Sequence, residues 1–129
     1  MKTDILTIDD VKLLVNNFYD KVRTDELLGP IFDEHIRDRW PAHLEKMYSF
    51  WQTVLLGVHT YDGTPFPPHA QLPIGHAHFS KWMELFTASV GELFSGNTAD
   101  EARWRAAKMA MLFEMKIEHY KEMGLKNLI

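Results

Sequence analysis

Seven histidines in a chain without cysteine leave imidazole, carboxylate and tyrosine as the only groups able to hold a metal. Three positions combine such a group with apolar surroundings. His69 lies in Pro68-His69-Ala70-Gln71-Leu72-Pro73, where the flanking prolines favour a single helical turn. A histidine on so short and rigid a segment can present one ring nitrogen to a metal, or can cap a loop by bonding a nearby carbonyl. His43 follows Pro41 on a helical stretch, with Met47, Phe50 and Trp51 on or near its face. It can donate into a closed pocket or sit at the solvent edge of the apolar stripe. Tyr19 belongs to the same face as Val15, Phe18 and Val22, and its hydroxyl needs a partner if buried, either a carbonyl or a ligand.

The other chemistry-bearing residues point less clearly. His76 and His78 form a His-x-His pair at a predicted helix start, where the two rings diverge by about 200° around the axis. Glu114, Glu118 and His119 do not reproduce the paired Glu-x-x-His motifs of a di-iron bundle. His35, His59 and His119 read as surface residues. No Ser-His-Asp set has a strand–turn–helix context, and no glycine-rich phosphate loop occurs.

The elements that must position these groups are helical throughout. Residues 8–23 repeat Val11, Leu14, Val15, Phe18, Tyr19 and Val22 at helical spacing, with Thr7 or Asp9 as cap. Leu28-Gly29-Pro30 breaks this helix, and Ile31, Phe32 and Ile36 begin a short one. A third helix runs from Pro41 to about Leu56, ended by Gly57. Residues 57–68 form a loop with turn chemistry. A fourth helix covers 76–94, with Phe79, Trp82, Met83, Phe86, Val90 and Leu93 facing inward. Asp100 caps a last helix carrying Trp104, Met109, Leu112, Phe113, Ile117 and Tyr120, which Gly124 closes. There is no internal repeat and no strand-type alternation.

The bulk properties agree with one all-α domain over 1–129. Hydrophobic residues make up 46% and charged residues 25%, as in ordinary globular chains. A net charge of −4 with scattered Lys and Arg argues against a nucleic-acid partner. No apolar run approaches a membrane span, and no signal peptide is evident, so a cytoplasmic location is expected and no membrane partner. Four tryptophans and seven methionines suit either a pocket for a large flat apolar cofactor or a plain helical core.

Taken in order along the chain, four motifs resemble the third group of bacterial truncated haemoglobins. They are Phe18-Tyr19-Asp20-Lys21-Val22-Arg23 with Leu28-Gly29-Pro30-Ile31-Phe32; His43 with Phe50-Trp51 and Leu55-Leu56-Gly57; Tyr61-x-Gly63-x-Pro65 with His69-x-x-Leu72-Pro73; and Phe79-x-x-Trp82-x-x-Leu85-Phe86. The likeness is close over residues 8 to 90 and one of pattern beyond. The absence of the paired-glycine motifs of other truncated haemoglobins also agrees with the third group.

The resemblance implies a truncated globin-like helical sandwich around haem b. His69 would be the proximal iron ligand. Tyr19, His43 and Trp82 would be donors to a bound diatomic (O2, NO or CO). Phe32, Met47, Trp51, Leu72, Phe79 and Phe113 would wall the haem. So polar a pocket suits oxygen-dependent nitric oxide detoxification or peroxide chemistry better than oxygen delivery. Both need an external reductase that this chain does not encode. The chain departs from the family at Ile74-Gly75, where an aromatic residue is expected, and this leaves His76 and His78 as rival iron ligands or propionate partners. Two readings of other classes compete: a cofactor-free all-α interaction module, and a non-haem metal protein with a ligand converging on His69, His76 and His78.

Overall fold

The computed structural model describes residues 1–63, 65, 69 and 72–128, with the side chains of 124–128 left out of account. Among the described residues there are five α-helices: α1 (Ile8–Thr24), α2 (Gly29–Ile36), α3 (Trp40–Leu56), α4 (His76–Leu93) and α5 (Asn97–Leu128). A 3-10 turn, Arg37–Arg39, joins α2 to α3. No strand forms among them, and no described helix is long and apolar enough to cross a membrane.

Local chemistry sets most helix starts and stops. Thr7 and Asp10 form a reciprocal box at the head of α1: the Asp10 amide donates to Thr7 Oγ1 and the Thr7 amide to Asp10 Oδ2, at 3.3 and 3.1 Å. Pro30 sits in the first turn of α2, where a missing amide costs nothing. Gly57 ends α3 at φ 70°, a left-handed conformation that suits glycine. At α4 the cap residue Gly75 has no side chain to offer. The helix start is held instead by the Gly75 amide donating to His78 Nδ1 at 3.0 Å.

The head of α5 is capped from the other end of the chain. Asp4 accepts the amides of Thr98 and Ala99 at 2.9 and 2.8 Å, while its own neighbour Ile5 donates a third bond at 2.8 Å. Burial pushes the Asp4 carboxyl up, but these amide bonds outweigh it and hold the group below the ordinary aspartate value. The approach requires glycine at Gly96, whose φ is 140° and whose notional Cβ would lie 2.5 Å from Asp4 Cγ.

Packing is built on α1, which lies against both α3 and α4, while α4 lies along α5. Phe86 is the hub of the interior at 1% exposure. Trp82 stacks on it at 5.5 Å and Trp51 at 5.0 Å, and Phe18 meets it edge-on at 5.3 Å. One side chain from α4 thus fixes the tryptophans of α3 and α4 against α1. The buried Phe18, Trp51 and Phe86 contribute about 2–3 kcal/mol each through burial, and the half-buried Trp82 less.

Three boundaries and one face differ from the sequence expectation. The third helix begins at Trp40, not Pro41. The last begins at Asn97, so Asp100 lies inside it, and it continues through Gly124 to Leu128. An isolated glycine weakens a helix by about 1 kcal/mol without necessarily ending it. The buried face of α5 is carried by Ala99, Ala102, Ala106 and Ala110 together with Ile117, whereas Trp104, Leu112 and Tyr120 are exposed. Small residues let helices approach closely, and the Trp104 ring lies outside under Arg105 and Lys108 at 5.3 and 5.1 Å. The helical turn expected across 68–73 falls largely outside the described residues; within it, the Leu72 amide donates to the His69 carbonyl at 3.2 Å.

Candidate functional site

All the helices contribute to one cavity of about 900 Å³, its open mouth included. Its walls come from each element in turn: Tyr19 of α1, Phe32 of α2, His43, Met47 and Trp51 of α3, His69 and Leu72 before α4, Phe79 and Trp82 of α4, and Phe113 of α5. Every residue that the sequence singled out for a pocket therefore reaches the same cavity. Helical spacing explains the trio on α3: positions 43, 47 and 51 are successive turns of one face.

Tyr19 and His43 form one polar corner. Tyr19 Oη and His43 Nε2 are 3.2 Å apart and share a hydrogen bond whose direction follows the imidazole tautomer. Burial drives the Tyr19 hydroxyl far above the ordinary phenol value, so it stays a neutral donor. Burial, followed by the like charges of His69, Lys46 and Arg39, pulls His43 down to about 4. Both rings are thus neutral at ordinary pH.

Trp40 backs this corner, a role that the sequence reading missed. Its ring meets Tyr19 and His43 edge-on at 5.7 and 5.8 Å. Its indole donates to Asp33 Oδ1 at 3.2 Å, and the Arg23 guanidinium covers its face at 4.4 Å. Three elements therefore fix one ring behind the polar pair. A tryptophan before a proline at a helix start was the only available signal.

Trp82 lines the cavity from α4. Among the described residues none accepts its indole N–H, yet no buried side-chain nitrogen or oxygen lacks a partner, so this nitrogen faces accessible space. It is a donor held ready by its stack on Phe86.

His69 stands apart from His43. Its Nδ1 donates to the Pro65 carbonyl at 2.6 Å, since a carbonyl can only accept. The proton of the neutral ring is thereby committed to Nδ1, and Nε2 keeps its lone pair. Burial lowers the ring's basicity; the Pro65 bond opposes this, and His35 adds a smaller lowering contribution. The ring also rests against Phe113, centroids 5.0 Å apart. A neutral imidazole with an outward lone pair and a carbonyl fixing its other nitrogen is what a metal-ligating histidine requires. The residues fit a flat, apolar, iron-bearing group.

The remaining histidines separate as the helix geometry predicts. His78 reaches the cavity, whereas His76 turns to α5, its Nδ1 3.1 Å from the Glu114 carboxylate and its Nε2 3.3 Å from Ser80. His35, His59 and His119 are exposed. Among the described residues no three histidines or carboxylates converge as a metal site, so the non-haem reading finds no support in the geometry.

Similarity to known proteins follows the same lines. The bacterial-like globin family model matches residues 6–118. The group 3 truncated hemoglobin ctb of Campylobacter jejuni is 32% identical over 124 residues, covering 93% of this chain and 98% of that protein. The crystal structure of a group III truncated hemoglobin from the same organism superposes with a TM-score of 0.82 at 31% identity, covering 91% of this chain and 95% of the other. An interaction module without cofactor is therefore set aside: the chain belongs to the bacterial-like globin family, as a haem-binding globin of the group III truncated haemoglobin type.

Proposed function

We propose that the cavity holds haem b through His69 and that the protein takes up a diatomic gas beside Tyr19, His43 and Trp82. The observation that carries this reading is the commitment of the His69 proton to the Pro65 carbonyl, which leaves Nε2 of this half-buried ring as a neutral electron-pair donor. Haem, held by His69, would supply an iron able to take a small gaseous ligand.

The chain's own residues account for the rest. Phe32, Met47, Trp51, Leu72, Phe79 and Phe113 exclude water and so lower the local dielectric. Tyr19 and His43 share one hydrogen bond, so the pair offers one further proton to the cavity and the Trp82 indole offers another. Each neutral hydrogen bond to a polar diatomic contributes on the order of 1 kcal/mol, or about fivefold in affinity. Two together slow ligand escape, which favours retention and chemistry over delivery. Oxygen-dependent removal of nitric oxide and peroxide chemistry both fit such a site, with electrons supplied by a separate donor protein.

The test is the absorption spectrum of the haem-loaded protein, reduced and then exposed to CO, beside His69→Ala. A Soret band that shifts with CO and is altered in the variant is expected. No Soret band, or a variant with an unchanged ferrous spectrum, would remove His69 from the iron.

A further inference from the structure

Three histidines reach the cavity, and their hydrogen bonds give them different chemistry. His69 donates through Nδ1 and keeps a lone pair on Nε2. His78 is the reverse. Its Nδ1 accepts the Gly75 amide at 3.0 Å, so the proton of its neutral ring sits on Nε2. Among the described residues none accepts that proton, and no buried side-chain nitrogen lacks a partner, so Nε2–H faces accessible space. Such a ring cannot lend an electron pair through Nε2 while it caps α4. It can donate to an anion.

The rest of the wall narrows what that anion is. Trp82 and the Tyr19–His43 pair are the donors assigned above to the gas, His69 bonds Pro65, and no lysine or arginine is among the lining residues, so His78 Nε2–H is the remaining N–H. A carboxylate drawn partly out of water is stabilised by a donor N–H, and the hydrogen bond is stronger because the acceptor is charged. Haem is apolar except for its iron and its two propionates.

We infer that His78 binds a haem propionate through Nε2–H and is not an iron ligand. This rests on the haem reading above. His78 then does two jobs with its two nitrogens: one fixes the start of α4, the other orients the cofactor's carboxylate edge.

The test compares His78→Gln with His78→Glu in the haem-loaded protein, following haem loss to an excess of scavenging apoglobin by absorbance. Both side chains can accept the Gly75 amide, as in an ordinary capping box, but only glutamate opposes a propionate with like charge. With haem b, the glutamine variant should lose haem within about threefold of the wild-type rate, and the glutamate variant at least about tenfold faster. With the propionates esterified as the dimethyl ester, the two variants should release haem at equal rates. Equal rates for the two variants with haem b would overturn the assignment. So would a glutamate effect that persists with the ester, because it would then act through the helix start. A wild-type protein with no Soret band would instead defeat the haem reading itself.

Discussion

His43 links the site to pH. Its pKa is about 4 in the folded chain against an ordinary 6.5, so between those values the unfolded chain binds a proton that the folded one refuses. The stability gained by keeping the ring neutral is complete above about pH 6.5 and drains away as the pH falls toward 4. A gap of that size corresponds to about 3 kcal/mol, and solvent reaching the partly exposed ring reduces it to about 1–2 kcal/mol. Denaturant midpoints at pH 7 and pH 5 should therefore fall further in the wild type than in His43→Leu; equal losses would place the dependence on another group. At this scale the sequence was informative wherever residue type decides chemistry. Tyr19, His43 and His69 stood out because few side chains donate or ligate, whereas Trp82 entered only through the family resemblance. Trp40 did not stand out, because its importance arises from Asp33 on α2 and Arg23 on α1. Nor could spacing separate His78 from His69, which differ in which nitrogen the backbone engages.

Helix ends were legible where capping is local, as at the Thr7 start and the Gly57 stop, and a helix face was misread where the signal was size. Large apolar residues suggested the inner face of α5, yet alanines occupy it and Trp104 stands 56% exposed. The contrast yields a test that runs against simple hydrophobicity. Ala106→Leu adds volume at a position with 0% exposure and should destabilise by about 1–3 kcal/mol. Trp104→Ser removes the larger side chain and should stay within about 0.5 kcal/mol. Urea midpoints for the two variants decide the matter, and the reverse order would mean that Trp104 is covered in solution.

Across the whole molecule, periodicity made the order of helices readable, while their mutual placement as a globin-like sandwich came from the family resemblance. Periodicity locates an apolar face without naming its partner, so by itself it did not indicate that α1 would touch both α3 and α4. The same holds for Asp4, an unremarked residue near the start that closes the head of a 32-residue helix. Its bond to Thr98 joins positions 94 apart.

That separation bears on the order of events in folding. Closing so long a loop carries a large entropic charge and is favoured only after the intervening helices have gathered, so the Asp4 bonds form on the native side of the barrier. A change there should leave the rate of folding alone. Asp4→Asn, costing about 1.4 kcal/mol, should unfold about tenfold faster while refolding at the wild-type rate, which stopped-flow chevrons would show. A slowed refolding limb would mean that the two ends of the chain meet early. In the expected case Asp4 is a latch on lifetime, setting how long the assembled globin persists and not how quickly it assembles.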